Sequence, residues 1–255
     1  MTQPRLTIEA ITANLAGALI ALDFDGTLAP IVRDPQAARP VDGVIATLAE
    51  LAAAGAQVAI VTGRDAHTVL RLGQLQRIGN LVVSGLHGAE TWRDGELATL
   101  DEPAGLEALR AALPPLLPAG VWLEDKRLSL VVHTRQAEDP DAALAALTGP
   151  VTELVAAHGL DTHPGKQVLE IRLPELSKAT ALTTLLGPDT TAALFAGDDL
   201  GDLPAVEAIR AWSAGTGRPG CTVAVGEVAQ LRAVTDLQLA EPAELAALLR
   251  GLLTG

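Results

Sequence analysis

The rhythm of apolar and polar positions changes twice along this chain. Up to about residue 100, short apolar runs at 18–22, 58–62 and 81–84 alternate with stretches of helical spacing. Uniformly apolar runs of that length predict buried strands, and the stretches between them predict helices over 44–54 and 65–72. Asp42 is the expected cap of the first helix and Gly55 its stop. A short helix or arm is expected over 2–15. Pro30, Pro35 and Pro40 mark a loop, Gly85 to Glu90 a turn, and Asp94-Gly95 the tip of a hairpin. Between about 104 and 174 the strands instead pair a polar with an apolar face. Two strands are predicted in 121–135, turning near Lys126-Arg127, and a cleanly alternating one over 168–173. Helices are predicted over 106–117 and 140–158, the second interrupted near Gly149-Pro150. The first pattern then returns, with strands at 192–196 and 222–225 and helices at 178–186, 203–209 and 241–253.

Apolar strands alternating with helices imply βαβ units and a parallel sheet. Alternating strands imply an antiparallel sheet with one open face. The expected architecture is therefore α/β: a parallel-sheet core from residues 1–103 and 175–255, with a smaller inserted domain at 104–174.

Composition narrows the function. Of the 255 residues 49% are hydrophobic, enough for a sizeable core, while aromatics are scarce at 2%. That scarcity leaves little from which to build base-stacking platforms. The net charge of −13 argues against nucleic acid or an anionic membrane as partner. An anionic substrate would need local positive charge. One cysteine, Cys221, excludes an internal disulfide and a multi-cysteine zinc site. No basic segment leads into an apolar stretch at the N-terminus, and no apolar run reaches membrane-spanning length, so a cytoplasmic protein is expected. Among 18 basic residues only three are lysine: Lys126, Lys166 and Lys178. Where arginine is so favoured, each retained point charge becomes a candidate for chemistry.

The apolar run at 18–22 ends in Asp23-Phe24-Asp25-Gly26-Thr27-Leu28. On an extended chain Asp23 and Asp25 project to one side. Two like charges so placed call for a hard cation or a proton between them. A second acidic cluster, Gly197-Asp198-Asp199-Leu200-Gly201-Asp202, also follows an apolar strand. Sites in parallel sheets form at the carboxyl ends of strands, so the two clusters can share one cation. Thr62 and the amides following it from Gly63 on, opening a helix, suit a phosphate oxygen.

The string Asp23-x-Asp25-Gly-Thr-Leu resembles the signature of the haloacid-dehalogenase-like (HAD) phosphatases. The resemblance implies a Rossmann-like HAD core with a cap, and Asp23 as the nucleophile that forms an aspartyl-phosphate. It makes Asp25 the acid and then the base. It implies Mg²⁺ held by Asp23, the Asp25 backbone carbonyl and Asp198, with Asp199 and Asp202 completing or orienting the shell. Thr62, Gly63 and Lys178 would hold phosphate, although Ala179 departs from the family's usual Lys-Gly. Glu124-Asp-Lys126-x-x-Ser129-Leu-x-x-His133-x-Arg135, Gly165-Lys166-x-Val-Leu-Glu170-Ile-Arg172 and Gly85-Leu-His87-Gly88-Ala-Glu90 resemble trehalose-6-phosphate phosphatases. So does the stretch around Pro30, where Ala29 replaces a polar residue. By that resemblance Glu124, Lys126, Lys166 and Glu170 of the α/β cap bind the distal glucose, while His87 and His133 read as packed or capping residues. The implied reaction is Mg²⁺-dependent hydrolysis of trehalose 6-phosphate, with a functional link to a trehalose-phosphate synthase. The alternatives are another sugar phosphate, such as sucrose 6-phosphate or a glycosyl-phosphoglycerate, or a catalytically silent sensor or synthase partner.

Overall fold

The computed structural model describes residues 4–254. The chain forms two compact units: one from the residues up to Ala98 and from Ser177 onward, the other from Thr99–Leu176. In chain order the first opens with α1 (Pro4–Ala13), β1 (Leu19–Leu22), α2 (Val44–Ala53), β2 (Gln57–Val61), α3 (Ala66–Gly73), β3 (Leu81–Gly85), β4 (Glu90–Arg93) and β5 (Glu96–Thr99). The second unit holds α4 (Ala104–Ala112), β6 (Trp122–Asp125), β7 (Leu130–His133), α5 (Pro140–Ala156), β8 (Asp161–Gly165) and β9 (Val168–Arg172). The first unit resumes with α6 (Lys178–Leu185), β10 (Ala193–Gly197), α7 (Leu203–Thr216), β11 (Gly220–Val225), α8 (Ala229–Arg232), β12 (Leu237–Leu239) and α9 (Pro242–Gly251). The part of the expected N-terminal helix that precedes Pro4 lies outside the described residues.

The first unit is built on an eight-stranded sheet of order β12-β11-β10-β1-β2-β3-β4-β5. From β12 to β3 every pair is parallel, and β4 runs antiparallel to β3. Alternate strand residues enter opposite cores. Ile20, Leu22, Val58, Ile60 and Leu194 join one cluster, while Leu19, Ala21, Ala59, Val61 and Phe195 join the other. Both faces are thus covered, which is why these strands are apolar throughout. The chain leaves β1 toward β2 and β3, then returns on the other side of β1 as β10. The carboxyl ends of β1 and β10 therefore flank a topological switch point, where loops diverge and leave a crevice.

The second unit is a four-stranded antiparallel sheet, β6-β7-β9-β8. One face packs Leu130, Val132, Leu169 and Ile171 against Leu106, Leu109, Val151 and Val155 from α4 and α5. Across the other face Glu124 stands opposite Val131, Val131 opposite Glu170, and Glu170 opposite His163.

Several local expectations needed correction. Gly43, at φ 80°, occupies the cap position of α2, and no side chain bonds there; exposed Asp42 is one residue too early. Helix α5 runs through Pro150 without a break. Strand β8 was not foreseen because it contains Pro164; as an edge strand it tolerates a missing donor. The short elements α8 and β12 carry too little periodicity to be read in advance.

Candidate active site

The site grows from the register of β1 and β10, where Leu22 lies beside Ala196 and the Asp23 amide donates to the Ala196 carbonyl (2.9 Å). The residues that follow each strand, Asp23 and Asp198, are thereby brought side by side. Two glycines permit the closeness. Gly26 has φ 80°, and a Cβ there would collide with the Asp198 carboxylate. A Cβ on Gly197 would collide with Asp202.

Lys178, the first residue of α6, is buried and donates to Asp23 Oδ1 and Asp202 Oδ1, each at 2.6 Å. The other Asp202 oxygen accepts from the amides of Asp198 (2.9 Å) and Asp199 (3.1 Å). Asp199 in turn accepts from the Gly201 amide (2.8 Å), closing a reciprocal cap on the turn. Asp202 thus has both oxygens engaged and orients the loop, and Asp199 shapes the turn rather than reaching inward.

One oxygen each of Asp23, Asp198 and Asp202 lies within 4.8 Å of the others. Burial, reinforced by the neighbouring carboxylates Asp23 and Asp202, pushes Asp198 up to about 9. Burial also pushes Asp23 up to about 7, against the pull of Lys178. Asp199 is raised as well, chiefly by burial. Burial alone would lower the Lys178 pKa, but Asp202 and Asp23 outweigh it and hold the ammonium above its ordinary value. One buried ammonium leaves this carboxylate group with excess negative charge. Hard oxygen donors with unbalanced charge fit a divalent cation, with Asp23 and Asp198 as the side chains best able to hold it.

Asp25 goes elsewhere. Its carboxylate is gripped by Arg64, with Nε 2.5 Å from Oδ2 and Nη2 2.6 Å from Oδ1. Arg64 also donates to the Pro35 carbonyl (2.9 Å), and its guanidinium lies 5.8 Å from the centre of the Phe24 ring. Its hydrogen bond to the Asp25 carboxylate raises the Arg64 pKa. Arg64 carries no signal in the sequence beyond its adjacency to Gly63. Thr62 follows β2, which lies next to β1 in the sheet, so it sits at the same sheet end as Asp23. There Thr62 Oγ1 accepts from the Arg64 amide (3.1 Å). Gly63 leaves room for His87, whose ring a Cβ would meet at 2.9 Å. Buried Glu90, also unassigned beforehand, accepts from the Ala66 amide (2.9 Å) at the start of α3. It anchors the turn that carries Thr62, Gly63 and Arg64.

In the second unit, Glu124 Oε2 lies 2.8 Å from His133 Nε2. Glu170 Oε2 accepts from Arg172 Nη1 (2.5 Å), and Arg172 Nε donates to the Leu176 carbonyl (2.9 Å). Burial lowers the Arg172 pKa despite Glu170. Lys126 lies in the turn after β6, where Arg110 pins both Asp125 (2.6 Å) and the Arg127 carbonyl (3.2 Å). Lys166 is exposed in the turn between β8 and β9.

Residues 21–233 match the trehalose-phosphatase family. The chain belongs to that family. It is 34% identical over 218 residues to a trehalose-phosphate phosphatase of Mycolicibacterium paratuberculosis, a match covering 75% of this chain and 51% of that one. It is 35% identical over 211 residues to an uncharacterised glycosyl hydrolase of Mycobacterium tuberculosis, covering 75% of this chain and 15% of the other. The chain thus spans about half the length of the first of these relatives and 15% of the second. Its fold is that of the C-terminal domain of a Candida albicans trehalose-6-phosphate phosphatase, with a TM-score of 0.80, 23% identity, and coverage of 98% and 96%. The α/β class and the family expected from the motifs both hold. None of the described helices is long and apolar enough to cross a membrane.

Proposed function

We propose that this trehalose-phosphatase family member hydrolyses trehalose 6-phosphate to trehalose and phosphate. The observation that carries the reading is the buried Lys178 ammonium, 2.6 Å from Asp23, beside Asp198 at the β1–β10 switch point. Lysine holds the nucleophile and meets incoming phosphate charge. The second Asp23 oxygen attacks phosphorus as the bond from phosphorus to the sugar oxygen breaks. Asp25 protonates that leaving oxygen, then takes a proton from the water that releases phosphate. Arg64 orients Asp25 between the two steps. Thr62 and the amides from Gly63 onward suit the non-bridging oxygens. The proposed cofactor is Mg²⁺, held by Asp23, Asp198 and the Asp25 carbonyl, with Asp199 and Asp202 shaping the loop. When bound it offsets the charge on the phosphoryl group.

The proposed division of labour assigns phosphoryl chemistry to the first unit and sugar recognition to Glu124, Lys126, Lys166 and Glu170 of the second. A lone buried cysteine and the acidic balance fit the cytoplasmic setting proposed. The test is phosphate release from trehalose 6-phosphate, sucrose 6-phosphate and a glycosyl-phosphoglycerate, each with Mg²⁺ and with excess chelator. Mg²⁺-dependent release with trehalose 6-phosphate preferred is expected. Preference for another substrate rejects the assignment, and full activity in chelator rejects the metal.

A further inference from the structure

Aromatic residues make up 2% of this chain, and two of its three tryptophans have an evident packing role. Trp92 packs against one core of the first unit and Trp212 against the other. Trp122 is different. It opens edge strand β6, joins none of the three hydrophobic clusters, and is 40% exposed. Its ring lies flat on His133, directly opposite across β6 and β7, with centroids 3.9 Å apart and planes inclined by 8°. His133 is also held by Glu124, whose Oε2 lies 2.8 Å from its Nε2. Glu124, His133 and Trp122 therefore share the sheet face that also carries Glu170.

An exposed indole held rigid by a stacked neighbour costs apolar hydration in the free protein and loses little freedom on binding. One face of the indole is taken by His133, so a ligand can stack only on the other. A pyranose in its chair form presents a matching partner. Its axial C–H bonds form an apolar plate, while its equatorial hydroxyls point outward toward acceptors at the rim. Aromatic rings with polar neighbours suit ligands of this mixed character.

We propose that Trp122, backed by His133, is a stacking platform for a glucopyranose ring of the substrate. This inference rests on the sugar-phosphate reading above and adds to it a residue that determines sugar specificity by shape. Trp122 touches no reacting atom, so its contribution is to affinity and placement.

The experiment uses the whole chain. Trp92→Phe with Trp212→Phe leaves Trp122 as the sole indole, and its emission is followed during titration with trehalose and, separately, inorganic phosphate. A saturable change with trehalose but not phosphate is expected. In parallel, Trp122→Ala should raise KM for trehalose 6-phosphate about tenfold with kcat largely kept, while Trp122→Phe, which retains a ring, should stay within about threefold. A silent Trp122 under saturating trehalose, or an unchanged KM in Trp122→Ala, overturns the platform. Should Trp122→Ala fail to fold, the titration alone decides. If wild-type protein does not hydrolyse trehalose 6-phosphate, the functional reading falls, while the trehalose titration still judges the platform separately.

Discussion

The two sheets of this protein handle polar groups in opposite ways. In the first unit both faces of the parallel sheet are packed, and every residue of β1 and β10 is buried. An unpaired charge on such a face would be too costly, so the charged groups are driven to the strand ends. There Asp23, Asp198, Asp202 and Lys178 are crowded, desolvated and mutually dependent. In the second unit one face of the antiparallel sheet packs against α4 and α5, and the other carries Glu124 and Glu170. Polar residues lie along its strands in rows, and two of the carboxylates have near partners: Glu124 has His133 and Glu170 has Arg172. Crowded, buried charge suits bond making and breaking, because dielectric screening is weak there. A row of paired polar groups suits reading a pattern of hydroxyls. The comparison predicts that damage to the first unit abolishes turnover and damage to the second changes substrate preference.

The largest effect tests the first half of that statement. Asp23→Asn removes the proposed nucleophile while preserving shape, and kcat should fall by roughly four to six orders of magnitude, as when other essential nucleophiles are lost. Circular dichroism should match wild type. Turnover within tenfold of wild type would remove Asp23 from the mechanism.

Lys178→Met is next. It leaves Asp23 and Asp202 without their shared cation, and breaking a buried pair from one side costs about 3–5 kcal/mol. Both activity and denaturant midpoint should drop. A variant that loses activity at unchanged stability would show that solvent or metal already neutralises the cluster.

Glu170→Gln probes the other unit. Because Glu170 also holds buried Arg172, an alanine would confound recognition with folding; glutamine keeps an acceptor. Weakening the proposed charged bond from Glu170 to the sugar should lower kcat/KM for trehalose 6-phosphate by roughly tenfold. Hydrolysis of a small aryl phosphate should stay within about threefold, since remote binding energy is absent there. Equal losses on both substrates would place Glu170 in the scaffold.

The smallest effect concerns pH. In metal-free protein Asp23 and Asp198 have folded pKa values of about 7 and 9, above the ordinary carboxylate value. Their neutral forms are favoured in the folded state, so their contribution to stability is complete at acid pH below about 4. It is lost as pH rises through those values. In chelator, Tm should decline by a few degrees between pH 5 and 9, more steeply in wild type than in Asp198→Asn. Added Mg²⁺ should flatten the wild-type curve. A variant as steep as wild type would mean the decline comes from elsewhere in a chain of net charge −13.

Much of this arrangement was legible in the one-dimensional pattern. Strand character at 18–22 and 192–196 follows from apolar runs that no solvated loop would carry. The acidic strings after them mark strand ends because carboxylates cannot continue a strand with two buried faces. Alternation around Leu130, Val132, Leu169 and Ile171 assigned the inward face of the second sheet, since successive side chains point opposite ways. Other features depended on contacts distant in sequence. Lys178 meets Asp23 across 155 residues, and Arg64 meets Asp25 across 39. Nothing local to Asp25 says that its carboxylate turns to arginine while Asp23 turns to lysine; the choice follows from which strand end lies beside which. Asp202, one more acid in a turn by its sequence, is fully buried between an ammonium and two amides, because α6 and α7 pack together. Trp122 stacks on His133 only because β6 and β7 pair in that register, and Pro164 fits β8 only because β8 is an edge. Local patterning sets which face of an element is apolar and where it ends. Pairing, register and close approach decide which charges share a crevice, because those energies exist only once distant segments meet.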